Sequence, residues 1–280
     1  MFFSGISDEA GKSIDTQIKA HKELGWDYLE IRNVDGTNLT LVEDSKFDEI
    51  YDKVTSANMR VSCFASALAN WSRPISGDFQ VDVDELKQAI PRMKRFGTQF
   101  IRIMSWPNDE QDPWEDRKWG DEVIKRVKEL AGMAESGGIT LVHENCSGWA
   151  GLTAENTLEM LEKVNSPALK LVYDTGNVIF HAQEPWDFYS KIRDHIVYVH
   201  IKDGVKKDGE PEAVYCGEGD ARVKEVLTDL KKRGYDGGLS IEPHIAAKVH
   251  KGEQADSDAG YKIYVNYGKK LMKLVESIWG

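Results

Sequence analysis

The sequence predicts an α/β fold, a (β/α)8 TIM barrel in a single domain spanning residues 1–280. Three observations predict it. Short apolar segments alternate with amphipathic ones eight times along the chain. Alternation of β and α elements makes a parallel sheet, and eight pairs in a chain of 280 residues close it into a barrel. Gly25, Gly97, Gly138 and Gly234 each stand between a helix and the next strand, where a left-handed residue is wanted and a Cβ is strained. The rival, an open doubly wound sheet, needs a glycine-rich phosphate loop after its first strand, and "SGISDEAG" lacks the GxGxxG spacing.

In chain order, "FFSGIS" reads as strand one, and "SIDTQIKAHKELG" as a helix capped by Ser13 or Asp15. "DYLEIR" is strand two, "KFDEIYDKVTSA" a helix and "RVSCFA" strand three. "VDELKQAIPRMKRFG" is a helix in which Pro91 is expected to introduce a kink. "QFIRIM" is strand four, followed by a helix from Gly120 to Ser136. "ITLVHE", "LKLVYD", "IVYVHI" and "GLSIE" are strands five to eight. Between them lie the helices "TAENTLEMLEKV", "PWDFYSKIRD" and "ARVKEVLTDLKKRG", and a last helix starts near Gly260.

Composition narrows the function. Hydrophobic residues at 41% and charged residues at 30% are the balance of an ordinary globular chain. A net charge of -11 repels a phosphate backbone, so no nucleic-acid partner is expected. The three cysteines are scattered and odd in number, which fits reduced thiols in a cytoplasm. The opening "MFFSGISDEAG" does not read as a signal peptide, and no apolar run approaches the roughly 18 residues of a membrane span, so no membrane partner is expected.

Active sites of such barrels form at the C-terminal ends of the strands. Strand five ends in His143-Glu144, strand six in Asp174, strand seven in His200 followed by Lys202 and Asp203, and strand eight in Glu242 followed by His244. One aspartate after a strand is ordinarily a turn or cap residue, and one histidine in a strand an ordinary core residue. Four strands in succession delivering such groups to one rim are harder to dismiss. Burying three carboxylates together is costly unless a cation compensates them. A site of two Glu, one Asp and one His favours Mn2+, with Mg2+, Co2+ or Zn2+ as alternatives.

These residues carry a resemblance. "SDEAGKSIDTQIKAHKELGWDYLEIR", "LVHEN", "LVYDTGN", "YVHIKD", "GEGD" and "SIEPH" together resemble the xylose isomerase-like TIM barrel family of sugar phosphate isomerases and epimerases, over nearly the full length. The resemblance implies one divalent metal ion held by Glu144, Asp174, His200 and Glu242. It also implies that Glu144 and Glu242 act as the acid-base pair on a small sugar, moving a proton beside a carbonyl through a metal-stabilised enediolate. Three positions depart from the sugar epimerases: Asn177 replaces a substrate-binding His, Lys206 an Arg, and Ala150 a second Glu. The wording of "LVHEN" and "YVHIKD" also resembles a branch acting on 3-keto sugars and glycosides. That keeps open a metal-dependent lyase or dehydratase on a keto-sugar, 3-keto-glycoside or keto-inositol. It makes His143 a second candidate base, although strict alternation turns His143 outward if Glu144 points inward.

Other residues have two readings each. Lys202 shares the inward face of His200 and either holds a substrate oxygen or pairs with a rim carboxylate. His244 either binds substrate or caps the last turn. Trp71, Trp106 and Trp149 fall on the expected rim, where aromatic rings suit sugar C–H faces, or pack in loops. Glu30 and Arg32 are read as a buried pair on the pocket floor. Asp8 and Glu9 are read as helix-cap residues, and His21, His195 and His250 as surface or helix residues. Barrels of this kind are commonly dimers or tetramers, so a homo-oligomer stays open. A repair endonuclease of the same fold would need a richer histidine cluster and a basic surface, whereas this chain has seven His and is acidic.

Overall fold

The barrel wall is built from β1 (Phe2–Gly5), β2 (Tyr28–Ile31), β3 (Arg60–Ala65), β4 (Phe100–Ser105), β5 (Thr140–Gly148), β6 (Leu169–Asp174), β7 (Ile196–Ile201) and β8 (Gly238–Ile241). A computed structural model of the chain describes residues 1–207, 209–246 and 257–280. The strands run in parallel in the order β1-β8-β7-β6-β5-β4-β3-β2. One parallel bridge between Ile6 and Glu30 joins the two ends of that order and closes the wall.

The helices that cover the wall are α1 (Ile14–Leu24), α2 (Asp44–Ser56), α3 (Gln80–Phe96), α4 (Asp116–Gly137), α5 (Ala154–Val164), the short α6 (Asn177–Phe180), α7 (Pro185–Ile192), α8 (Val223–Lys232) and α9 (Ser257–Trp279). Ser13 caps α1 by accepting from the Thr16 N–H at 3.2 Å, so the cap falls on Ser13 rather than Asp15. The four glycines expected to be left-handed have φ between 68° and 73°. Helix α3 runs through Pro91 without ending there. Two short hairpins were not read from the sequence. Asn33–Val34 pairs with Thr37–Asn38, and Asp203–Lys207 pairs with Glu210–Val214.

Two apolar layers hold the fold. Outward-facing Ile101, Ile103, Leu141, Leu171 and Leu239 pack under the helices, and inward-facing Cys63, Val142, Val172 and Tyr198 fill the barrel. Fully burying a large aliphatic side chain stabilises by about 1.5–3 kcal/mol. Below the mouth, Ser62 Oγ bonds Ser4 Oγ and Tyr198 Oη at 2.8 Å each, so the polar atoms in the floor are satisfied. The mouth is the C-terminal end of the strands.

The first and last helices meet over β1. A Cβ on Gly5 would collide with the Tyr264 hydroxyl of α9. His21 is a helix residue of α1, and it is buried beside them rather than at the surface. Its Nδ1–H donates to the Gln17 carbonyl at 2.9 Å and Nε2 accepts from the Tyr264 hydroxyl at 3.1 Å. His195 is exposed, in a single turn before β7, and His250 lies outside the described residues. The three cysteines are free and buried. Among the described residues, no helix is long and apolar enough to cross a membrane.

Burial lowers the His21 pKa from 6.5 to about 4. The unfolded chain therefore binds a proton at a higher pH than the folded one. The stability that neutral His21 contributes is complete above pH 6.5 and drains away as pH falls towards 4. The loss amounts to roughly 3 kcal/mol. Chemical denaturation between pH 7 and pH 4.5 should show a shallower loss of stability in His21→Gln than in the wild type.

Candidate active site

Four side chains converge in the mouth. Glu144 from β5, Asp174 from β6, His200 from β7 and Glu242 just beyond β8 are all buried, and one ligand-type atom from each lies within 4.8 Å of the others. These are the four residues that the sequence singled out.

His200 is oriented from both sides. Its Nε2 lies 3.0 and 3.1 Å from the two oxygens of Glu30, and its Nδ1 lies 3.2 Å from Glu144 Oε1. Glu30 also accepts from Ser240 Oγ at 2.6 Å. A carboxylate behind one ring nitrogen fixes the orientation of the other, which is the usual support of a metal-ligating histidine. Burial alone would lower the His200 pKa, but Glu30 and Glu144 raise it well above its ordinary value.

Each carboxylate has a cation beside it. Arg102 Nη1 approaches Glu144 Oε2 at 3.3 Å. Arg32 Nη1 donates to Glu242 Oε1 at 3.2 Å. Lys202 Nζ lies 2.9 Å from Glu242 Oε2 and 3.0 Å from Asp174 Oδ2. The compensation that the sequence argument assigned to a metal is thus already partly supplied by the protein. Burial pushes the Glu144 carboxyl up, but Arg102 and His200 outweigh it and hold it at about 2. Burial is likewise outweighed at Glu242, where Lys202 and His244 hold the carboxyl well below its ordinary range. At Asp174 burial prevails over Lys202, helped by Glu242 and Glu144, and lifts the carboxyl to about 8.

The second ring of residues departs from the sequence reading in several places. Glu30 and Arg32 do not pair with each other. Glu30 serves His200, while Arg32 Nε bonds both oxygens of Asp8 at 3.1 Å and Nη1 serves Glu242. Asp8 and Glu9 are therefore site-supporting groups, not caps. Glu9 accepts the His244 backbone N–H at 2.8 Å, and His244 Nε2 lies 3.1 Å from Glu242 Oε1. Asn177 donates to Glu144 Oε1 at 3.2 Å while its backbone N–H donates to Asp174 Oδ1 at 2.8 Å. Asn145 holds the end of β6 through both the N–H and the carbonyl of Asp174. Asp203 accepts from the N–H groups of Gly204, Gly217, Gly219 and Ala221, which ties the "GEGD" turn to the end of β7.

Three expected residues are placed elsewhere. His143 shares a register row with Ile103 and Leu171, which face the helices. Alternation holds, both of its ring nitrogens are buried without a hydrogen-bond partner, and burial lowers its pKa to about 4. Trp106 is 1% exposed and its indole N–H is bonded to Asp82 Oδ2 at 2.8 Å. Trp149 is equally buried and donates to Asp116 Oδ1 at 3.1 Å. Both indoles are engaged in packing helices α3 and α4 against the wall. Trp71 lies half-buried in the turn after β3.

The four residues fit a divalent cation. Glu144 Oε2 and Asp174 Oδ2 are buried and accept no hydrogen bond of good geometry, so each keeps lone pairs for a ligand. Three carboxylates and one imidazole are a donor set for Mn2+, Mg2+, Co2+ or Zn2+. Glu9, Glu242 and His244 also lie within 4.8 Å of one another, with the Arg32 guanidinium 3.7 Å from Glu9 and 3.2 Å from Glu242.

Fold and site together define a TIM barrel with a carboxylate-histidine centre capable of holding a metal at its C-terminal mouth. The chain belongs to the xylose isomerase-like TIM barrel family, whose model matches residues 18–262. An inosose dehydratase from Clostridium tetani is 26% identical over 174 residues, covering 56% of this chain and 58% of that protein. A fructoselysine 3-epimerase from Escherichia coli O157:H7 is 28% identical over 128 residues, 44% of this chain and 45% of that protein. The chain thus spans about half the length of the curated relatives it matches. Among solved structures, the IOLI protein with a bound zinc atom superposes with a TM-score of 0.77 at 16% identity, covering 99% of both chains. That likeness supports the fold.

Purified protein is expected to hold about one divalent ion per chain, and His200→Ala and Glu242→Gln to lose it. Elemental analysis after incubation with Mn2+, Co2+ or Zn2+ checks this, and a metal-free wild type would refute the site.

Proposed function

We propose that the chain is a metal-dependent isomerase or epimerase that moves a proton beside the carbonyl of a small sugar. The observation that carries this reading is the pair of buried glutamates, Glu144 and Glu242, in one four-residue group with Asp174 and His200. When bound, a divalent ion, Mn2+ by preference, supplies polarisation of the carbonyl and its neighbouring hydroxyl.

The protein's own residues do the rest. Glu144 and Glu242 come from β5 and from the end of β8, with His200 between them. One removes the proton and the other returns one, to the same carbon in epimerisation or to its neighbour in isomerisation. Arg102 and Asn177 fix Glu144, while Arg32 and Lys202 fix Glu242, so neither has to reorganise during transfer. Burial excludes water that would compete for the proton.

A second reading is elimination of water from a keto-sugar or keto-inositol. It is favoured by Lys202 and His244, whose nitrogens stand 2.9 and 3.1 Å from Glu242 and are placed to hydrogen-bond a leaving hydroxyl, while the glutamate that has taken up the carbon-bound proton returns it to that hydroxyl. The match to an inosose dehydratase supports it as well.

NMR in D2O with a panel of ketoses and inososes separates the two. The first reading expects a product of unchanged elemental composition apart from one deuterium beside the carbonyl, and the second expects loss of water. Glu144→Gln or Glu242→Gln should each lower kcat by about 10²–10⁴-fold. His143→Leu should keep most of the activity, because its ring faces the helices; a loss as large as that of the glutamate variants would restore His143 as a base.

A further inference from the structure

We propose that Lys202 is an internal counter-cation that sets how tightly the mouth of the barrel holds its divalent ion. This rests on the metal-dependent reading above. The ammonium contacts Asp174 Oδ2 at 3.0 Å and Glu242 Oε2 at 2.9 Å, and both residues belong to the metal-capable group. A divalent ion seated among the four residues draws on the same two carboxylates.

The placement of Lys202 is built into the fold. Its side chain is 2% exposed. A Cβ on Gly176 would collide with the Lys202 stem, so the glycine of "DTGN" makes the room through which the stem passes. Thr175 Oγ1 bonds both the backbone carbonyl of Lys202 at 2.5 Å and its N–H at 3.1 Å. The Phe180 ring covers the ammonium with its centroid 5.9 Å away. Backbone, stem and head are each fixed, so the charge cannot swing into solvent when a second cation enters. Two positive charges then share a buried, low-dielectric pocket, where their repulsion is screened far less than in water.

The other cations differ in this respect. Arg102 contacts only Glu144 of the four, and Arg32 only Glu242, each from the side opposite His200's contacts with those carboxylates. Among the lysines and arginines of the described residues, Lys202 alone pairs with two of the four residues' carboxylates. It therefore stabilises the folded site before metal arrives and weakens the metal's hold afterwards.

The test measures Mn2+ affinity by isothermal calorimetry, and by the free-ion EPR signal, on the full chain. Lys202→Met is expected to bind Mn2+ at least about tenfold more tightly than the wild type, and to melt lower in chelator. Lys202→Gln, which keeps hydrogen-bond donors without the charge, is expected to tighten binding in the same direction, whereas Lys202→Arg is not. Unchanged or weaker binding by both neutral variants overturns the inference. Should the neutral variants not fold, the wild type carries the test. With ¹⁵N-labelled lysine, the Lys202 ammonium resonance should shift on titration with Zn2+, and an unmoved resonance overturns the inference. A wild type that binds no divalent ion is a different outcome, and sinks the metal-dependent reading itself.

Discussion

Removing several carboxylates from water is the constraint on which the rest of this mouth depends. Glu30, Glu144, Asp174 and Glu242 are all essentially buried. An ion of that size carries a desolvation cost of several kcal/mol even after the protein relaxes. The chain meets the cost by pairing, and the pairs run between strands far apart in sequence. Arg102 of β4 reaches Glu144 of β5 and anchors itself on the Ser66 carbonyl at 2.9 Å. Arg32, after β2, reaches Glu242 and is steadied by Asp8, which Asn33 holds in turn at 2.9 Å. Removing one partner would leave a buried charge without compensation, so closing the barrel and assembling the site are the same event.

The four central residues were legible because each stands where a short apolar strand meets its loop. That boundary survives in a single sequence, since strand ends are marked by hydrophobicity and by the turn that follows. Their supporters were not legible in the same way. Arg102 sits inside "QFIRIM", where a charge in the middle of an apolar strand was the available signal, and Asp8 and Glu9 look like any acidic pair ahead of a helix. The function of such groups depends on which strands become neighbours, here β1 against β8, and periodicity along the chain carries no record of that.

The tryptophans teach the converse lesson. Trp106 and Trp149 occupy rim positions by sequence, yet each spends its N–H on a helix carboxylate. A large aromatic next to an amphipathic helix can lower its free energy by burial more readily than by waiting for a ligand. His143 makes the point for strands. Strict two-residue alternation sent it under the helices, although its neighbour Glu144 lies at the centre of the site. Where periodicity and chemical suggestiveness disagreed, periodicity prevailed.

Closure through Ile6 and Glu30 has a further consequence during synthesis. Glu30 leaves the ribosome early, but the groups that satisfy it, His200 and Ser240, are 170 and 210 residues further on. Until β7 and β8 are made, only water can stand in for those two partners. The backbone neighbours of β2 come early by contrast, since Ile6 precedes Glu30 and β3 begins at Arg60. Burial of Glu30 is in this sense a long-range step: a chain ending before β8 would lack Ser240, and burying the carboxylate without that partner would cost more.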